Sequence, residues 1–232
     1  MYTLYIGNKN YSSWSLRPWI LMKELAIPFE ERLVPFNEPG YEPFPSFSPS
    51  AKVPCLHTDG DKVWDSLAIA EYLHERHPGV WPSDGKARAY ARSAAAEMHS
   101  GFGTLRDVCS MNCGIRVQLH EVSQALRRDL DRLEALWGEG ISRFGGPFIA
   151  GSKFSAVDAF FAPVAFRVQT YGVPLSSVAS GYVKRLLALP GMKAWYESAL
   201  QEKWRDEPHE ADVPRSGKLT QDLRAKAVRQ PA

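Results

Sequence analysis

The sequence predicts an α/β N-terminal domain in the order β-α-β then β-β-α, followed by an all-α C-terminal domain. Three observations carry this. Over the first 80 residues, short β-type runs alternate with amphipathic helical stretches. From Pro82 onward the apolar spacing is helical only. The change falls at Pro78–Asp84, where Pro-Gly and Pro-Ser pairs interrupt the periodicity. We therefore divide the 232 residues into a domain at 1–80, a linker at 81–86, a helical domain at 87–203 and a tail at 204–232.

The elements follow in order. Thr3-Leu4-Tyr5-Ile6 is a short β-type run ended by the turn pair Gly7-Asn8. A helix comes next, with Leu16, Trp19, Ile20 and the stem of Lys23 on one face and Pro28 beyond its end. Proline in a helix interior clashes with the carbonyl four residues back, so Pro18 places the helix start near Trp14 or Ser15. Phe29 to Phe36 reads as a strand, with Pro35 arguing for an edge position or an early end. Asn37 to Ser50 holds five prolines or glycines and reads as a loop with one short helical turn. Cys55–Thr58 and Lys62–Trp64 flank Asp59-Gly60-Asp61 as a hairpin, and Leu67 to His77 is an amphipathic helix stopped by Pro78-Gly79. With a right-handed crossover, this is the thioredoxin-like order. Beyond it, Ala87–Val108, Val122–Phe144, Ala156–Tyr171, Ser180–Ala188 and Met192–Lys203 read as helices, and after Trp204 the chain turns polar.

Composition narrows the function classes. Hydrophobic residues make up 44% and charged residues 23%, ordinary for a globular chain. A net charge of +2 without a basic block disfavours nucleic acid or an anionic membrane as the main partner. No signal peptide or membrane-length apolar run is visible, and a reducing cytoplasm is the expected compartment. Cys109 and Cys113 have helical spacing, but no further ligand completes a tetrahedral site. No metal is expected, and the three cysteines read as small buried hydrophobes.

Three segments carry chemistry. Ser12-Ser13-Trp14-Ser15-Leu16-Arg17-Pro18 crowds serines at a helix N-terminus, where free N–H groups and the dipole favour an anion and would pull a thiol toward thiolate. Simple helix capping by serine explains the same pattern. Lys52-Val53-Pro54 starts a strand after a loop; a cis bond there would leave the Val53 N–H and C=O free to pair with an extended peptide. Asp65-Ser66 stands where a strand hands over to a helix, suited to the amino and carboxyl groups of an amino-acid terminus, or to capping alone.

Taken in order, these segments resemble the glutathione transferases. Ser12-Ser13-Trp14-Ser15-Leu16-Arg17 is similar to the zeta-class Ser-Ser-Cys-Ser-Trp-Arg motif. Val53-Pro54 matches the family's cis-proline segment and Asp65-Ser66 its acidic-Ser pair. Ser155-Ala156-Val157-Asp158 is similar to the family's helix-capping box. The resemblance implies that Ser12, with Ser13 a close second, stabilises the thiolate of glutathione, bound as co-substrate. It implies that Trp14 borders the thiol and Val53 and Pro54 serve the cysteinyl backbone. Lys52 could meet the glycyl carboxylate, and Asp65 and Ser66 would hold the γ-glutamyl end. The co-substrate would lie near His99, Phe102, Arg106 and Met111. The implied activity is conjugation of glutathione to small hydrophobic electrophiles, or peroxide reduction, by a homodimer with no protein-bound covalent intermediate. Two alternatives stand beside it. One is a maleyl-type cis–trans isomerase drawing on Arg17, Arg106 or Arg167. The other is a non-catalytic binding or regulatory protein. Trp14 occupies the motif's cysteine position and the first helix has no cysteine, which argues against glutathionyl removal through a mixed disulfide.

Overall fold

Leu4 and Ile6 point the same way from the first strand and are fully buried. That strand, β1 (Tyr2–Ile6), lies inside a four-stranded sheet of order β2-β1-β3-β4, in a computed structural model that describes residues 1–36 and 40–227. β2 (Phe29–Leu33) runs parallel to β1; β3 (Cys55–His57) and β4 (Lys62–Trp64) are antiparallel, with Cys55 opposite Tyr5 and Trp64. β2 is therefore an edge strand and ends before Pro35, which cannot donate to a ladder. The loop that follows holds one helical turn, α2 (Phe44–Phe47); part of the expected loop, residues 37–39, lies outside the described residues. α1 (Ser13–Glu24) makes the crossover and α3 (Ser66–His74) closes the unit.

The helix start differs from expectation. α1 begins at Ser13, so Pro18 falls in the second turn and leaves the Trp14 carbonyl without its helical donor. The burial of α1 from Ser15 to Met22 explains the tolerance: the helix packs on β1 and α3 and also on two helices of the second domain. Tertiary packing outweighs the one lost hydrogen bond.

The second domain comprises α4 (Gly85–Ser100), α5 (Gly103–Val108), α6 (Gln124–Phe144), α7 (Ala156–Tyr171), α8 (Ser177–Ala188) and α9 (Pro190–Gln201). The single helix expected over Ala87–Val108 is broken. Gly101 turns extended, Phe102 takes a left-handed φ of 57°, and a Cβ at Gly101 would meet the Glu97 carbonyl at 2.8 Å. At the head of α7, Asp158 is buried and accepts from the Ser155 N–H at 3.0 Å, the Ile149 N–H at 3.1 Å and the Tyr182 hydroxyl at 2.9 Å.

Helix is not the whole content of this half. β5 (Ile115–Leu119) pairs antiparallel with β6 (Gly217–Asp222), a ribbon absent from the all-α reading. The strands close so tightly that a Cβ at Gly217 would sit 2.2 Å from the Gln118 carbonyl oxygen. The polar stretch read as a tail thus docks back, through α10 (Glu207–Ser216) and then β6. Its last residues, 228–232, lie outside the described residues. Arg224 anchors it: the guanidinium donates to Glu210 at 2.6 and 2.9 Å, to Asp222 at 2.9 Å and to the Tyr11 hydroxyl at 3.0 Å. A main core runs unbroken from Leu4 to Val213, and Val34, Phe47 and Cys55 form a separate small cluster.

Candidate functional site

The loop between β1 and α1 delivers the serines. Ser12 sits at the N-cap, but its side chain caps nothing. Its Oγ lies 2.7 Å from Ser15 Oγ, which in turn accepts the Gly7 N–H at 3.1 Å. Ser13 Oγ has no hydrogen-bond partner among the described residues. Both hydroxyls are nearly buried, at 5% and 7% exposure, yet line a cleft of about 620 Å³. The loop itself is held from the second domain: Glu202 accepts the Lys9 N–H at 2.6 Å and the Asn10 N–H at 3.0 Å.

The same cleft gathers Trp14, Lys52 and Val53. The Val53–Pro54 bond is cis, and neither the Val53 N–H nor its C=O has a backbone partner among the described residues. Pro54 is buried behind it, and Cys55 faces the small cluster. Asp65 and Ser66 do not line the cleft. Asp65 holds a φ of 74° and caps α3 by accepting from the Leu67 N–H at 2.8 Å. A non-glycine residue pinned there stores backbone strain of the kind found at ligand sites. Ser66 is buried, and its Oγ accepts from Arg17 at 3.4 Å.

Arg17 joins the two parts. It is 1% exposed and packs 4.2 Å from the Trp14 ring, and Arg106 lies 4.8 Å from the same ring. The Trp14 ring also meets His99, edge to face, at 5.1 Å, so protein groups already engage the indole. Arg167, 4% exposed, donates to the Arg106 and Cys109 carbonyls and lines the cleft with Arg106. None of the three guanidiniums is paired with a carboxylate among the described residues, and the buried Nε atoms of Arg17 and Arg167 have no partner. Burial, reinforced by Arg106 and Arg167, holds Arg17 well below the usual guanidinium range. Burial and Arg106 lower Arg167 to about 10. Uncompensated buried positive charge of this kind is relieved by a bound anion.

Family models of the glutathione S-transferase N-terminal and C-terminal domains match residues 11–76 and 116–198. The chain belongs to the glutathione S-transferase family. A maleylacetoacetate isomerase of Rattus norvegicus is 28% identical over 197 residues, covering 80% of this chain and 88% of the rat protein. The glutathione S-transferase-like protein OpS6 of Beauveria bassiana is 25% identical over 207 residues, covering 86% and 90%. Among solved structures, a glutathione transferase homolog from Burkholderia with bound glutathione aligns at a TM-score of 0.64 and 26% identity, over 85% of this chain and 97% of that one.

For this member of the family, sequence reasoning missed one wall of the cleft. His209, Asp212 and Arg215 of α10 line the cleft, alongside Asp107 and the already expected Arg106 and Met111. Their signal was present in Asp206-Glu207-Pro208-His209, an N-cap with proline at the second helical position, inside a stretch read only as polar. His99 stands behind Trp14, and Phe102 is buried in the core. Cys109 is buried, which pushes its thiol up to about 12; Cys113 is buried and raised further. Among the described residues no group of three or more His, Cys, Asp or Glu is placed to hold a metal ion.

Proposed function

We propose that the chain is a glutathione-dependent enzyme in which Ser12 activates the glutathione thiol for attack on an electrophile. The Ser12–Ser15–Gly7 chain of hydrogen bonds at the head of α1 carries this reading. In the free protein Ser12 donates to Ser15 at 2.7 Å; both hydroxyls can rotate, and a sulfur bound at Ser12 would draw that bond into the reverse direction. With Ser15 donating to Ser12, the bonds align from the Gly7 N–H through Ser15 to Ser12. The Ser12 proton is then free for the sulfur. An aligned chain polarises each member and strengthens the last donor. The α1 N-terminus adds its positive end, so the thiol ionises more readily and the thiolate is held in place. The unpaired Val53 backbone would take the cysteinyl peptide as an added strand, and exposed Lys52 would meet the glycyl carboxylate. Asp65 and Ser66 remain the expected hold on the γ-glutamyl end, reached past Arg17. The unpartnered Ser13 hydroxyl is the competing donor.

Kinetics of Ser12→Ala and Ser13→Ala test this. Ser12→Ala is expected to bind glutathione within a few-fold of the parent and to lose turnover by about 100-fold. Full turnover in Ser12→Ala with a dead Ser13→Ala transfers the role to Ser13. Thermal stabilisation by millimolar glutathione is expected. Its absence would favour a non-catalytic binding protein.

A second reading has its own support. The cluster of Arg17, Arg106 and Arg167 favours an anionic electrophile over a neutral one, as a maleyl-type isomerase would need. Turnover of maleylacetoacetate or maleylpyruvate, compared with a neutral aryl electrophile, separates conjugation from isomerisation. The homodimer expected of the family belongs to the same proposal.

A further inference from the structure

The docked C-terminal segment brings into the cleft a titratable pair that the reading above leaves unused. We propose that His209, held by Asp206, accepts the proton of the glutathione thiol; the proposal rests on the glutathione reading of the Ser12 cleft. Asp206 caps α10 and places Oδ2 2.5 Å from His209 Nδ1, and its side chain is only 7% exposed. A buried carboxylate there fixes the tautomer that carries hydrogen on Nδ1, which leaves the Nε2 lone pair as the base. The ring cannot swing freely. It stacks on Phe36 at 6.0 Å with planes 6° apart and packs on Tyr11 at 5.0 Å. Nε2 has no partner among the described residues and is not sealed from solvent, on a side chain that lines the cleft with Ser12, Ser13 and Val53.

The helix that carries the pair is itself pinned. Glu210, the next residue, accepts the Tyr11 hydroxyl at 2.8 Å, the Asn112 amide at 3.1 Å and the Arg224 guanidinium at 2.6 Å. Tyr11 adjoins Ser12 in the chain, so the helix that carries the base is tied to the loop that carries the hydroxyl. The remaining charges about His209 are largely accounted for. Glu210 is matched by Arg224, and Asp212 by Arg215, which also reaches Asp107. Arg205 is held by backbone carbonyls. Lys52, Arg106 and Arg167 face the same cleft and attract the thiolate as it forms.

The S–H bond breaks, its proton passes to Nε2, and the electron pair stays on sulfur, where Ser12 donates to it. Asp206 stabilises the resulting imidazolium. The sulfur pair forms the C–S bond. In an addition, the electron pair displaced from the double bond takes the proton back from Nε2. In a displacement, the leaving group departs with its bonding pair and the imidazolium yields its proton to water.

The full-length protein tests the idea through pH–rate profiles and through calorimetric binding of S-methylglutathione, which has no thiol proton to give. His209→Gln is expected to lower kcat/KM by about 100-fold and to abolish the imidazole limb of the profile, with S-methylglutathione affinity within about twofold. Asp206→Asn keeps the ring and its stacking, and is expected to reproduce a smaller loss, about 10-fold. Unchanged turnover and profile in both variants would overturn the proposal. So would equal loss of S-methylglutathione binding, since that marks a wall of the binding site and not a base. If the unaltered protein binds neither glutathione nor S-methylglutathione, the glutathione reading itself fails first.

Discussion

At the residue scale, the position of one hydroxyl depends on a neighbour three residues on. Ser15 is fully buried, faces Ser12 at 2.7 Å and is the acceptor for the Gly7 N–H. Ser15→Ala would strand a buried backbone N–H and is expected to cost about 1–2 kcal/mol of stability. It is also expected to lower turnover, by less than Ser12→Ala does, because Ser12 keeps its place but loses its orienting partner. Chemical denaturation and steady-state kinetics measure the two effects separately; a variant unchanged in both would show that Ser12 acts without the relay. The serine cluster was legible in the sequence, although Pro18 misplaced the helix start: α1 begins at Ser13 and Pro18 falls in its second turn. Which hydroxyl is free was not legible, since that depends on where the Gly7 amide turns.

At the element scale, the capping box of α7 does what Ser155-Ala156-Val157-Asp158 suggested, and more. Asp158 ties the helix start to Ile149 and to Tyr182 on α8. Burial raises its carboxyl from 3.8 to about 6, in spite of these donors. A folded pKa above the unfolded value gives stability that is present below about pH 4 and is lost as pH rises through about 6. The difference in unfolding free energy between the parent and Asp158→Asn should therefore move against the parent by about 2 kcal/mol between pH 4 and pH 7. Denaturant melts across that range check this, and a flat difference would refute it. Asp158→Ala removes the acceptor for three buried donors and is expected to cost about 3 kcal/mol or more at pH 7. The break between α4 and α5 shows the opposite case. Gly101 and Gly103 were visible, but glycines inside a helical pattern do not fix where a helix breaks; the left-handed Phe102 between them does.

At the scale of the whole molecule, the C-terminal segment is part of the site. It leaves α9, covers the cleft as α10 and returns as β6 to pair with β5. Ending the chain after Lys203 removes the Glu210–Arg224 anchor at Tyr11 and the partner strand of Ile115–Leu119. The main core from α1 to α9 stays intact, so folding should persist with a Tm lower by about 5–10 °C. Amide exchange at Ile115–Leu119 should quicken, and turnover should fall as in His209→Gln. Exchange mass spectrometry and melting curves decide it; an unchanged Tm with unchanged exchange at Ile115–Leu119 would mean that the segment contributes nothing to the fold.

The sequence by itself determined the order of strands and helices in the first domain, the edge position of β2, the capping box and the family motifs. Each of these is written in local periodicity or in residues a few positions apart. Only the tertiary structure decided that Pro18 sits in a second turn, that Arg17, Arg106 and Arg167 converge on Trp14, and that a polar stretch after Trp204 closes the cleft with a histidine. Those features join residues up to 213 positions apart, as Tyr11 and Arg224 are. No local signal encodes such a contact: a buried arginine and a solvated one read alike in a chain, and a strand as polar and exposed as β6 declares itself only when its partner is beside it.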